Sequence, residues 1–325
     1  MSNTKNIAIL GAGESGVGAA VLAKKQGFDV FVSDFGTIKE EYKAVLENEN
    51  IEWEEGTHTL DRILSAAEII KSPGIPDKVE VVQKALAKSI PVISEIEFGS
   101  RFTNAKLICI TGSNGKTTTT MLTYHILKKA GLNVGMAGNV GDSFALQVAN
   151  EKYDYYVLEL SSFQLDGIKK FKADIAILLN ITPDHLDRYD YKFENYVHSK
   201  FKITDNQTKE DFFIYCKDDK AITEAFANYN FAAKQLPFSI KEEVSEGAFL
   251  NDKEEIVFNT KNQPQTMSIH DLALNGKHNI YNSMAAGIAT KVLDLRKEIV
   301  RESLTDFQNV EHRLEHICYV NGIEF

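Results

Sequence analysis

The chain has 325 residues, 43% hydrophobic and 25% charged, with 36 basic against 46 acidic residues and a formal charge of −10. These proportions exclude a disordered, collagenous or coiled-coil chain, and the length predicts two domains. The acidic balance argues against a nucleic-acid binder, which needs many lysine and arginine contacts to phosphate. No apolar stretch approaches the ~20 residues that span a bilayer, and the first apolar run stops at Gly11, too short for a signal peptide.

In chain order, residues 6–10 read as a strand, 16–26 as a helix and 29–33 as a second strand. Strands at 68–71 and 91–94 flank a helix at 79–88. Such alternation predicts a parallel sheet covered by helices. A boundary near residues 94–103 precedes a second cycle: a strand at 107–111, a glycine loop, and a helix at 116–130 closed by Gly131. Residues 155–160 and 174–181 are almost continuously apolar, as central strands buried on both faces are. A helix at 193–204 follows, then a choppier stretch at 210–273, then helices at 281–293 and 297–307. Residues 316–320 read as a strand, Asn321-Gly322 as a turn, and Ile323 opens another apolar run, an expectation of a further domain beyond it. Cys109, Cys216 and Cys318 are far apart in apolar runs and read as buried reduced thiols.

Two glycine loops carry the chemistry. Gly11-Ala12-Gly13-Glu14-Ser15-Gly16 matches G-x-G-x-x-G between a strand and a helix, with Asp34 about 18 residues further on. Backbone N–H groups of such a turn approach a diphosphate at the helix N-terminus, and the acid accepts from a sugar hydroxyl or a base N–H. On this segment alone NAD is the default ligand, and a turn needed only for helix–strand packing is the alternative. The second loop is Thr111-Gly112-Ser113-Asn114-Gly115-Lys116-Thr117-Thr118. Its Gly115-Lys116-Thr117 end is that of a P-loop, although Ile110 stands where the strict pattern has its first glycine. The backbone from Gly112 to Thr118 rings phosphates, Lys116 reaches the terminal ones, and the Thr117 hydroxyl ligates Mg²⁺. Thr117 to Thr120 are poor helix formers whose hydroxyls are expected to cap the first turn.

Magnesium at a P-loop needs an acid at the end of a neighbouring strand. Glu159 interrupts an apolar run at such a place, where an unpaired carboxylate costs several kcal/mol unless a cation or water meets it. His185 follows the next apolar strand, as a metal or phosphate ligand or as a surface residue. Lys200, by its sequence context, is a helix lysine.

Taken together, residues 111–118, Gly138-Asn139, Glu159-Leu160-Ser161-Ser162-Phe163-Gln164-Leu165, Asn180-Ile181-Thr182-Pro183-Asp184-His185-Leu186-Asp187-Arg188 and Gly276-Lys277-His278-Asn279-Ile280-Tyr281-Asn282 resemble the Mur ligases of peptidoglycan synthesis. Folylpolyglutamate synthases, more distant relatives, should lack the first glycine loop on a separate domain. Residues 159–165 with Ser72-Pro73-Gly74-Ile75-Pro76 are similar to the D-glutamate-adding members.

The resemblance implies an α/β chain with a Rossmann-like, UDP-precursor-binding domain at 1–95, a central P-loop ATPase-type domain at 96–310, and at 311–325 the start of an amino-acid-binding domain most of which is missing. It implies a cytoplasmic bacterial enzyme of cell-wall biogenesis, cell shape and division, monomeric, using ATP, Mg²⁺, UDP-N-acetylmuramoyl-L-alanine and D-glutamate. ATP phosphorylates the precursor carboxylate, and the amine of D-glutamate attacks the acyl phosphate.

Lys116 would stabilise the moving phosphoryl group; Thr117 and Glu159 would hold one magnesium, and His185 with a carbamylated Lys200 a second. Asn139 would contact the reacting end of the substrate, and Asn279, Asn282 and Arg313 the ATP. Gly13, Glu14, Ser15, Gly16, Asp34, Ser72, Gly74 and Ser161 would contact the UDP precursor. Phe35-Gly36 follow Asp34 where a polar or basic residue is expected. The chain as it stands is expected to bind ligands but turn over weakly or not at all. The competing reading is an NAD-dependent oxidoreductase with an accessory nucleotide-binding domain. It needs an acid or base beside a nicotinamide, for which the sequence offers no clear candidate.

Overall fold

The computed structural model describes residues 5–260 and 264–308, with the backbone of 319–320 and 323–324. In the first unit, β1 (Asn6–Leu10), α1 (Glu14–Lys25), β2 (Asp29–Asp34), α2 (Glu40–Asn48), β3 (Glu52–Glu55), α3 (Leu60–Ile63), β4 (Glu68–Lys71), α4 (Glu80–Ala87) and β5 (Val92–Ile93) alternate as expected. The sheet order is β3-β2-β1-β4-β5, all parallel. Its central strand, β1, is buried from Ile7 to Leu10, and apolar clusters lie on both faces. Two glycine-loop residues extend α1 backward from the expected start at 16 to Glu14, because extended Gly13 serves as N-cap. The edge strand β3, Glu-Trp-Glu-Glu, had no apolar run to reveal it.

The expected boundary is a helix, α5 (Glu95–Ser100), most of it buried. Glu97 is fully buried: one oxygen accepts from the N–H groups of Lys169, Lys170 and Phe171 at 2.7–2.9 Å, the other from Arg101. Phe98, against Phe28 and Phe102, packs on the first unit. The segment between the two sheets is therefore anchored at both ends.

The second unit comprises β6 (Lys106–Thr111), α6 (Lys116–Lys129), β7 (Val134–Gly138), α7 (Phe144–Asn150), β8 (Tyr155–Glu159), α8 (Ser162–Asp166), β9 (Ile175–Leu178), α9 (Phe193–Phe201), β10 (Phe212–Cys216), α10 (Lys220–Ala225), β11 (Lys234–Ser239), β12 (Gly247–Leu250), β13 (Glu255–Asn259), β14 (Gln265–Ser268), α11 (Lys277–Val292) and α12 (Lys297–Asp306). Nine strands run β14-β13-β12-β11-β10-β9-β6-β8-β7, parallel except for the antiparallel β12–β14 edge. The choppy stretch is thus the outer half of this sheet. The strand expected at 174–181 is only β9: the Asp174 carboxylate accepts the Leu107 N–H at 2.8 Å, and residues beyond 179 turn toward the phosphate loop. The helix expected at 193–204 ends at 201 and tightens into a 3₁₀ turn. Tyr319–Val320 (β15) pairs antiparallel with Ile323–Glu324 (β16). Cys109 and Cys216 are buried free thiols whose burial raises their pKa, Cys216 to about 12. Cys318 lies outside the described residues.

Candidate active site

β6 lies between β8 and β9, and β7 pairs with β8. One sheet edge therefore collects the phosphate loop after β6, Asn139 after β7, Glu159 ending β8 and the 180–188 segment after β9. This is where parallel sheets bind ligands.

The loop geometry follows from its glycine. Gly115 caps α6 at φ +83, and a Cβ there would come 2.5 Å from Asn282 Oδ1. Only glycine combines that φ with so close a neighbour. The threonine hydroxyls expected to cap α6 do not. The helix has no side-chain cap, and the Thr119 and Thr120 hydroxyls are buried without a partner among the described residues. The uncapped first turn suits a phosphate, which needs those N–H groups. Lys116 Nζ arches over the loop, donating to Gly112 O and Ser113 O at 2.9 and 3.0 Å.

The 180–182 segment stitches the loop in place. Asn180 Oδ1 accepts from Asn114 N–H at 2.8 Å and its Nδ2 donates to Asn114 O at 2.9 Å. Ser113 Oγ donates to Thr182 O and accepts from Thr182 N–H, both at 2.9 Å. Asn180 sits in a motif quoted above, but no chemistry in the sequence assigns it this brace; an amide directly after an apolar strand was the available signal.

Glu159 is 1% exposed. Its Oε1 accepts from Asn139 Nδ2 at 2.8 Å, while Oε2 is buried with no partner among the described residues. A buried carboxylate oxygen left unsatisfied costs several kcal/mol, and a divalent cation meets that demand. No group of three or more His, Cys, Asp or Glu that could hold a metal occurs among the described residues. The single carboxylate of Glu159 suits Mg²⁺, which usually takes one or two protein carboxylates and completes its shell with phosphates and water. Lys200 is also 1% exposed, 3.4 Å from Thr111 Oγ1 and above the Tyr196 ring. Burial, helped by the Lys116 charge, pulls its pKa down to about 7 against the opposing pull of Asp184, Asp166 and Glu159.

His185 is exposed, with φ +48, beside Asp184 and Phe163. Arg188 stacks on Phe163 at 4.4 Å and donates to Gly74 O and Pro73 O of the first unit. Ser72 Oγ reaches Gly11 O at 3.3 Å, so a chain of contacts runs from the first glycine loop to the His185 loop. There, Gly16 is required by contact: a Cβ would lie 1.9 Å from Gly11 O. The Asp34 carboxylate accepts from Ala12 N–H at 2.6 Å and Gly36 N–H at 2.8 Å, tying the end of β2 to the first glycine loop. Ser161 closes a capping box with Gln164 on α8. Asn282 donates to Asn279, and both begin α11 beside a cavity of about 540 Å³ lined by Asn114, Gly115, Asn180, Asp218, Tyr281 and Asn282. Thr117 and Thr118 lie in the first turn of α6, and Arg313 lies outside the described residues.

Two mainly parallel sheets, each with a glycine loop at its strand-end edge, have the build of the nucleotide-using α/β enzymes. Residues 110–290 match the Mur ligase middle domain and residues 6–81 the MurD N-terminal domain. The chain is 56% identical to the UDP-N-acetylmuramoylalanine--D-glutamate ligase of Bacteroides fragilis, over 99% of this chain and 72% of that protein. It is 48% identical to that of Cytophaga hutchinsonii, again over 99% and 72%. The chain belongs to the Mur ligases, in the family of UDP-N-acetylmuramoylalanine--D-glutamate ligases. Solved structures share the fold: a UDP-N-acetylmuramate:L-alanyl-gamma-D-glutamyl-meso-diaminopimelate ligase from Neisseria meningitides (TM-score 0.65, 20% identity, 95% of this chain and 99% of that one) and MurC from Thermotoga maritima (TM-score 0.58, 20% identity, 97% and 71%).

Proposed function

We propose that this protein forms an amide bond between D-glutamate and UDP-N-acetylmuramoyl-L-alanine at the expense of ATP, a cytoplasmic step of peptidoglycan synthesis. The observation that carries this reading is a buried Glu159 oxygen with no partner among the described residues, one strand away from an uncapped, lysine-covered phosphate loop. Membership of the D-glutamate-adding family supplies the substrates.

In this reading residues 1–95 bind the UDP end of the precursor on the first glycine loop, and residues 96–310 bind ATP. The precursor carboxylate oxygen attacks the γ-phosphorus of ATP, ADP leaves, and an acyl phosphate forms. The D-glutamate amine then attacks the acyl carbon, loses a proton, and expels inorganic phosphate. Bound magnesium supplies charge neutralisation for the phosphates. Thr117 and Glu159 would hold it, with Asn139 fixing Glu159 and facing the reacting end of the substrate. Lys116 turns from its carbonyl contacts to the transferring phosphoryl group. His185 and Lys200, the latter as a carbamate, would extend the cation site; a lysine near pKa 7 has the neutral amine that adds CO₂. Asn282 lines the nucleoside cavity with Asn279 hydrogen-bonded behind it, and Arg313 is assigned to ATP by the family resemblance.

The test is a ligation assay on the full-length protein with the UDP precursor, ATP and a panel of amino acids. Phosphate release that depends on D-glutamate is expected, with Lys116→Ala at least a hundredfold slower. Turnover with none of the amino acids, or nicotinamide reduction instead, would reject it.

A further inference from the structure

Large hydrophobic side chains are almost all buried here; among the described residues only Phe35, Leu86 and Tyr191 stand exposed, Phe35 at 74%. Phe35 follows β2 at the carboxyl edge of the first sheet. The Asp34 carboxylate before it is spent on the Ala12 and Gly36 N–H groups, so the turn is rigid while the ring it carries is open. On one side the ring meets His58, centroids 5.7 Å apart and planes tilted 44°. His58 is itself held, its Nδ1 2.7 Å from Ser33 Oγ. Phe35 is therefore a supported aromatic ring with solvent over most of its surface, not a core residue pushed outward.

Its place says what that face is for. In a parallel sheet of this order, a diphosphate on the β1–α1 glycine loop sends its nucleoside across the end of β2. A phenyl ring can make no hydrogen bond to a base edge, but it presents a π-face to any base. We propose that Phe35 is the stacking platform for the base of the precursor's UDP end. Stacking here takes the place of the polar contact expected after Asp34. This deepens the proposed function and rests on the first unit being the UDP site.

Calorimetry on the full-length protein with UDP as probe, and ATP as control, tests it. UDP affinity is expected to fall about tenfold in Phe35→Ala and in Phe35→Leu, and to survive in Phe35→Trp, with ATP affinity unmoved. The chain has one tryptophan, Trp53, so Phe35→Trp in a Trp53→Phe background reports on the ring alone: UDP should quench its fluorescence and ATP should not. If the unsubstituted protein binds UDP yet Phe35→Leu binds it equally well, or the introduced indole is not quenched, the platform is refuted while the ligase reading stands. If the unsubstituted protein fails to bind UDP, the assignment of the first unit falls, and this proposal with it.

Discussion

At Lys200, burial and the Lys116 charge outweigh three nearby carboxylates, so the ammonium loses its proton near pH 7. Only the neutral amine adds CO₂. With ¹³C-bicarbonate, a carbamate resonance is expected at pH 8 and above, fading as pH falls through 7, and missing in Lys200→Ala. A spectrum identical in the two proteins would remove the carbamate from the mechanism. Asn180 acts by position instead. Its amide satisfies both backbone groups of Asn114, which fixes the phosphate loop against the segment after β9. Asn180→Ala removes both bonds and leaves the Asn114 backbone to water, a loss of about 1 kcal/mol per bond at most. ATP affinity by calorimetry should drop about tenfold or more, with UDP affinity unchanged.

Among the elements, α5 is the one whose role was least expected. Beyond the Glu97 anchor, Glu95 is buried and accepts from Ser143 Oγ at 2.7 Å and Ala145 N–H at 2.6 Å, closing the start of α7. Burial, with a smaller contribution from Glu14, raises its pKa to about 7 against hydrogen bonds that lower it. Between the ordinary carboxyl value and pH 7 the folded state therefore binds the extra proton. Glu95 then weakens the fold as pH rises through that window, by roughly 3 kcal/mol at most. Glu95→Gln keeps an acceptor for both bonds and removes the charge. Its melting temperature should exceed that of the unsubstituted protein at pH 8 and match it at pH 5; equal shifts at both pH values would count against a titrating Glu95.

At the scale of the molecule, two sheets joined by a doubly anchored helix present two glycine loops linked through Ser72, Gly74 and Arg188. A ligand that binds only the folded state stabilises it by about 2.7 kcal/mol at a hundredfold excess over Kd. UDP and magnesium–ATP should each raise the melting temperature by a few degrees, and together by more than either. NAD should leave it unchanged; protection by NAD alone would revive the oxidoreductase reading.

The alternation of elements, both glycine loops and an acid closing the strand beside the second loop were legible in the residues alone. Strand period, glycine spacing and an acid inside an apolar run are local signals, written in neighbouring residues. The sequence did not reveal β3, whose charged edge carries no period. Nor did it show the brace from Asn180, the α5 anchors, the open ring of Phe35 or the lowered pKa of Lys200. Those depend on which residues distant in the chain come to lie against one another and how far water is excluded there. Burial and pairing are properties of the packed sheets and arise only once the chain has folded.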